Sequence, residues 1–331
     1  MKVCVYFQPK NKKEYFEGFR LRKNIKGALE IVDIPYAKDI IDSYDVMHFL
    51  SLSDELKIND AKEMGIPTVF SALNCESDDS ASILIEKKDG YALSLKAIRT
   101  LNQVDVVLVS DQASKDLLIE NGITTRIEIV TPGVNLSRFE FTSNLEEDIF
   151  YNYYQLEKQQ KFVVIIGKYD DANKRKALYE IARLCPMYRF YYFGNARLTK
   201  LARIQYSVPN NLRLCPLANN EIYCSMMKKA SIYLALDNSK HSPITLLDAA
   251  ASKSQIVALA PTKLNEELLN DLHAYVGNDT KEVSEIINRL YTGDLKSTVD
   301  KAYVYAQNNS LAELGERLKQ IYESVLDRRD I

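Results

Sequence analysis

Short uninterrupted apolar runs alternate with segments of helical spacing along this chain, and the pattern occurs twice. In the first block the apolar runs are Val3–Phe7, Asp45–Leu50 (DVMHFL), Thr68–Ala72, Val104–Ser110 and Ile127–Thr131. Between them, Phe16–Leu29 has helical spacing, with Phe16, Phe19, Ile25 and Leu29 apolar, and Lys57–Met64 reads as a helix stopped by Gly65 and Pro67. Leu84–Asn102 is expected to hold a helix, and Asp111 is placed to cap another that ends at Gly122. The second block opens with Phe162–Ile166 (FVVII) and continues with runs at Arg189–Phe193, Asn211–Cys215, Ser231–Leu236 and Gln255–Ala260. Helical segments separate these at Ala177–Leu184, Glu221–Lys229 and Leu246–Ser252, and two more close the chain at Lys281–Tyr291 and Ser310–Leu326. Continuous apolar strands flanked by amphipathic helices mean parallel sheets covered on both faces. Two such blocks in tandem predict an α/β protein of two Rossmann-like, doubly wound parallel-sheet domains facing across a cleft, with ligands bound beyond the carboxyl ends of the strands.

The expected boundaries are 1–143 for the first domain, 144–161 for a polar linker with a helix at Leu145–Leu156, 162–305 for the second domain, and 306–331 for a terminal helix returning toward the first. A length of 331 residues agrees with two domains. With 46% apolar and 27% charged residues, the composition is that of an ordinary globular protein, and a net charge of -2 offers no basic field for nucleic acid. The five cysteines (Cys4, Cys75, Cys185, Cys215 and Cys224) have no metal-ligand spacing, which points to reduced thiols in a cytoplasmic setting. No apolar run approaches the roughly 20 residues that span a bilayer, so any membrane association is expected to be peripheral.

Residues 104–139 read VDVVLVSDQASKDLLIENGITTRIEIVTPGVNLSRF, and the second half carries FVVIIG at 162–167, RFYYFG at 189–194 and SIYLALDNSKHSPITLLDAAASKSQIVAL at 231–259. These segments resemble the family-4 glycosyltransferases of GT-B fold, whose first domain closes on a V-x-x-G-V-D-x-x-x-F segment, here Val130, Gly133, Val134, Asn135 and Phe139. The resemblance covers nearly the whole chain. Its short length and the segment Tyr44–Phe49 are most similar to bacterial enzymes that add a hexose to a glycosyl-diacylglycerol. The resemblance implies a retaining transferase moving a hexose from a nucleotide sugar, UDP-linked by expectation, to a glycolipid or polysaccharide acceptor, with no cofactor and no metal.

It also implies a donor site in the second domain. Gly167 ends a strand and opens a cation-rich loop with Lys168, Lys174, Arg175 and Lys176. Arg175 and Lys176 are expected to neutralise the leaving diphosphate, with Gly167 and Gly194 allowing close backbone approach. The adjacent Asp170 and Asp171 read as helix-start residues rather than metal ligands.

The family's donor-sugar motif has two glutamates eight positions apart. Asp248 stands at the second, and is expected to face the ribose or sugar. Lys240 stands at the first with reversed charge, followed by His241, and Pro243 replaces a glycine whose N–H a ligand uses. The segment SALNCESDD after the third strand lacks the family's histidine, His48 reads as a structural residue of a buried strand, and Gly18 is what remains of a glycine-rich acceptor loop. These departures leave open a non-catalytic paralogue serving as a binding or scaffold subunit, and, further off, a sugar epimerase on the same architecture. Residues 10–26, with Lys10, Lys12, Lys13, Arg20, Arg22, Lys23 and Lys26 interleaved with Phe16, Phe19, Leu21 and Ile25, read as a basic amphipathic helix for an anionic membrane surface.

Overall fold

Apolar runs of four or five residues form the strands, and their register sets two parallel sheets. The computed structural model describes residues 1–7, 15–37, 41–73, 83–87, 90–141, 143–158, 161–167, 172–194, 208–216, 219–236, 243–259 and 266–327. The chain divides into two compact units, one of residues 1–135, 242–245 and 308–331, the other of 136–241 and 246–307.

In the first unit, β1 (Val3–Tyr6), β2 (Val46–Phe49), β3 (Thr68–Ser71), β6 (Val106–Val109) and β7 (Arg126–Ile129) lie side by side in that order, all parallel. An isolated parallel bridge from Val3 to Tyr36 extends the sheet beyond β1. β2, β3 and β6 are buried along their whole length, as a sheet covered on both faces requires. One face packs on α2 (Glu55–Glu63), α3 (Leu95–Leu101) and α4 (Gln112–Glu120), through Phe49, Ile58, Phe70, Leu101 and Leu118. The other face packs on α1 (Tyr15–Ile31) and the terminal helix Leu311–Asp327, through Leu21, Ile25, Leu29, Leu318 and Ile321. Asp111 caps α4 by accepting from the Ser114 amide.

The segment 84–102 holds the expected helix over a shorter span, after a strand pair that the sequence reading did not include. Leu84–Lys87 (β4) and Gly90–Leu93 (β5) pair as an antiparallel hairpin, and only Leu95–Leu101 is helical, with Ser94 as its cap.

In the second unit, β8 (Phe162–Ile166), β9 (Arg189–Phe193), β10 (Leu212–Cys215), β11 (Ile232–Ala235), β12 (Gln255–Leu259) and β13 (Tyr275–Gly277) form one parallel sheet in the order β10-β9-β8-β11-β12-β13. Numbered from β8, this is the 3-2-1-4-5-6 order of a dinucleotide-fold sheet. Its helices are α5 (Asn144–Glu147), α6 (Ile149–Tyr154), α7 (Ala172–Leu184), α8 (Asn220–Lys229), α9 (Pro243–Ala251), α10 (Glu266–Asp271), α11 (Thr280–Thr292) and α12 (Val299–Asn308). The terminal helix of the first unit is α13. Pro243–Thr245, the first turn of α9, groups with the first unit and the rest of that helix with the second.

The segment expected as a linker, 144–161, is part of the second unit. The Phe150 ring packs on Phe162, Tyr191 and Phe193, and the Phe150 amide donates to Ser225 Oγ at 3.0 Å. Lys229 pairs with Glu147 at 2.7 Å and Asp148 at 3.3 Å. The aromatic sequence IFYNYY, apolar on one face, needs a sheet to cover and finds it in β8 and β9.

Candidate active site

The order of the second sheet reverses between β8 and β11, and ligands in such sheets sit beyond the carboxyl ends of the strands at that reversal. The chain leaves β8 at Gly167 and β11 at Leu236. Gly167 adopts φ of +156°, and its amide donates to the Phe193 carbonyl at 3.2 Å. Gly194, at the end of β9, lies so close that a Cβ on it would stand 2.0 Å from the Gly167 carbonyl oxygen. The two glycines bring adjacent strand ends into backbone contact at the expected ligand position.

Beyond Gly167, α7 starts at Ala172, with Lys174, Arg175 and Lys176 in its first turn and a half. Lys174 and Arg175 are half-buried and Lys176 is exposed. Three cations there oppose the helix dipole, which favours anions at this end. A diphosphate would reverse that cost, since it accepts from the backbone amides and the cations together.

Asp248 differs from its expected exposure toward a ligand. It lies inside α9 with no exposed surface, its Oδ2 accepts from the Tyr223 hydroxyl at 2.8 Å, and its Oδ1 is 3.7 Å from Arg138 Nη1. Pro243 is the first residue of α9, where its missing N–H costs no helical bond. Lys168, Asp170, Asp171, Lys240 and His241 lie outside the described residues, as do 74–79 of the SALNCESDD segment.

In the first unit, Gly18 is filled from its own side. A Cβ there would meet the Phe7 ring at 2.3 Å, so the residue lets α1 approach that ring. The cations of α1 are largely committed. Arg20 is buried and donates to Thr245 Oγ1 at 2.6 Å, Arg22 Nε donates to the Val5 carbonyl at 3.2 Å, and Lys26 lies 4.6 Å from the Tyr36 ring centre. Burial also lowers the Lys26 pKa. Leu21 and Ile25 belong to the core, so among the described residues Lys23 is the basic side chain of this helix that stands exposed. The amphipathic pattern of 10–26 is thus spent mainly on the sheet beneath it. Lys10, Lys12 and Lys13 lie outside the described residues.

His48 is buried in β2 between Ser71 Oγ at 2.8 Å and Tyr322 Oη at 2.7 Å, and burial lowers its pKa to about 3. Among the described residues no cluster of histidine, cysteine and carboxylate side chains is arranged to hold a metal, and no helix is long and apolar enough to cross a membrane. Arg138 and Tyr223, which meet the buried Asp248, were not legible as its partners. The one available signal was the basic residue directly before Phe139 in the segment 130–139.

No family model matches the chain. A processive diacylglycerol alpha-glucosyltransferase from Acholeplasma laidlawii is 24% identical over 98% of this chain and 99% of its own. Anabaena HepE, solved with UDP-glucose, superposes with a TM-score of 0.70 at 13% identity, covering 98% of this chain and all of HepE. UDP-GlcNAc 2-epimerase from Neisseria meningitidis, solved with UDP-GlcNAc, gives a TM-score of 0.60 at 12% identity over 98% of this chain and 100% of that one. An epimerase and a glycosyltransferase-like sheet pair share this architecture, so fold alone does not name the reaction. Two doubly wound parallel sheets, the second reversing at β8 and β11, and a likeness spanning 98% of the chain give this protein the glycosyltransferase GT-B fold.

Proposed function

We propose that this chain is a retaining hexosyltransferase that moves a hexose from a UDP-hexose to a lipid acceptor at a membrane surface, such as a glycosyl-diacylglycerol. The observation that carries the reading is the set of cations in the first turns of α7, the helix that follows β8 at the sheet reversal. Charge builds on the departing UDP in such a transfer, and fixed cations and amides stabilise it most where it builds. Arg175, Lys176, Lys174 and Lys168 take that role, with Gly167 and Gly194 admitting the diphosphate to the backbone. Lys240 and His241, from the segment between β11 and α9, are assigned to the donor's phosphate and sugar.

The full-length likeness to a diacylglycerol alpha-glucosyltransferase supports the lipid acceptor. An α-linked product from an α-linked nucleotide sugar means retention at the anomeric carbon. Family-4 membership, a reaction needing no metal, and a cytoplasmic enzyme peripheral on the inner face of the membrane belong to the same reading. Lys23 and the lysines at 10, 12 and 13 would meet anionic lipid.

The test is UDP release from UDP-glucose and UDP-galactose, with and without anionic vesicles carrying glucosyl-diacylglycerol. Lipid-dependent release is expected, and Arg175→Ala should lower it by about 100-fold or more. Absence of release with either donor, together with absence of UDP binding, would sink the reading.

A second reading, a non-catalytic binding subunit on the same fold, is favoured by two observations. Pro243 offers no amide at the start of α9, and Asp248 presents no surface to a sugar. UDP binding without turnover in the same assay would select it.

A further inference from the structure

The cluster formed by Arg138, Asp248 and Tyr223 has no part in the chemistry so far assigned, and its cost calls for an explanation. The Arg138 side chain is 8% exposed and that of Asp248 is fully buried. The guanidinium reaches Asp248 Oδ1 through Nη1 at 3.7 Å and donates through Nη2 to Asn220 Oδ1, at the first residue of α8. Its carbon lies 5.7 Å from the Phe139 ring centre and 5.8 Å from that of Tyr223, while the Tyr223 hydroxyl donates to Asp248 Oδ2 at 2.8 Å. Three pieces of the second unit meet here: the turn at Leu136–Phe139, helix α8 and helix α9.

Buried ion pairs are weak sources of stability, because desolvation offsets most of their attraction, and an apolar replacement is often as stable. In some proteins what they supply is registry. α9 has the sequence PITLLDAAA, and its second half offers only alanines to its neighbours. Its other large buried side chains, Ile244, Leu246 and Leu247, are apolar, and apolar packing is non-directional. A carboxylate that accepts from the Tyr223 hydroxyl and faces the Arg138 guanidinium across 3.7 Å adds a directional constraint. α9 is the helix that follows β11, one of the two strands at the reversal of the sheet, and ligands in such sheets bind at that reversal.

We infer that Arg138 is a positioning residue of the nucleotide site: with Tyr223 it holds Asp248, and through Asp248 it fixes α9 in the register that UDP binding requires. This deepens the transferase reading and rests on it. The role assigned to Asp248 is accordingly that of a strut inside α9, acting on the donor through the helix.

The experiment compares UDP affinity by titration calorimetry with thermal stability in four proteins: wild type, Tyr223→Phe, Arg138→Met, and the double variant Arg138→Met/Asp248→Asn. Arg138→Met removes the guanidinium that faces a buried carboxylate and should lower Tm and weaken UDP binding together. The double variant removes both charges, so its Tm should return toward wild type while UDP binding stays weaker by about tenfold, as expected of residues that act as one unit. Tyr223→Phe loses one hydroxyl and should fold normally with UDP binding weakened about threefold. Recovery of UDP affinity along with Tm in the double variant, with Tyr223→Phe unchanged, would overturn the inference and leave the cluster a structural tie. A wild-type protein that binds no UDP would overturn the inference and the transferase reading together.

Discussion

His48 sits in the middle of β2 with no exposed surface, and both ring nitrogens are occupied, one by Ser71 and one by Tyr322 of α13. Desolvation holds its pKa at about 3, against about 6.5 in the unfolded chain. The folded value lies below the unfolded one, so the neutral ring's contribution is complete above pH 6.5 and is lost as pH falls toward 3. Between pH 7 and pH 5 the loss is about 2 kcal/mol. His48→Gln, which does not titrate, should therefore lose less stability over that interval than wild type, as read by urea unfolding. Equal slopes would refute a buried neutral imidazole. Gly194 sets a second residue-scale limit. In Gly194→Ala the added methyl meets the Gly167 carbonyl at 2.0 Å, and backbone cannot yield as a side chain can. The variant should be less stable by at least about 1–3 kcal/mol in thermal unfolding.

At the scale of elements, α1 and α13 share one buried face, and their approach is set by Gly315. A Cβ on Gly315 would lie 2.5 Å from the Ala28 carbonyl oxygen and 2.8 Å from a Val32 methyl. Gly315→Ala must push the helices apart along a contact that includes Leu21, Ile25, Leu318 and Ile321, and should cost about 1–3 kcal/mol. The neighbouring Glu316→Ala, on the outward side, should stay within about 0.5 kcal/mol of wild type. Chemical denaturation of the two variants measures the difference, and equal midpoints would mean that the helices do not depend on close approach. The hairpin β4–β5 and the short pair α5 and α6 belong to this scale as well. The first lies in a segment read only as holding a helix, and the second is helical as its apolar spacing reads.

For the whole molecule, nucleotide binding and stability are linked. UDP at a hundredfold excess over its Kd should stabilise the chain by about 2.7 kcal/mol, visible as a rise in Tm by calorimetry. An unmoved Tm at saturating UDP would count against a folded nucleotide site. The net charge is -2, so attraction to an anionic bilayer must be local to the few exposed cations near the N-terminus. Sedimentation with anionic vesicles should fall away as salt rises to about 0.5 M, where screening acts within a few ångströms. Binding that survives such salt would point to apolar insertion instead.

The alternation of FVVII, RFYYF, SIYLAL and QIVAL with amphipathic helices was enough to determine two covered parallel sheets, because a strand buried on both faces has no other composition open to it. The strand-end glycines and the cations after Gly167 were legible for a similar reason: close approach and charge are properties of single residue types at fixed positions. Burial of a polar group was not legible, since it depends on what lies opposite. Asp248 reads from the chain as a ligand contact and is a strut between Arg138 and Tyr223, the latter 25 positions away. The cations of α1 read as a membrane face, yet Arg20 and Arg22 are held by Thr245 and the Val5 carbonyl. Helical periodicity states which side of α1 is apolar, whereas only the sheet, the returning α13 and the first turn of α9 decide which of its cations reach water.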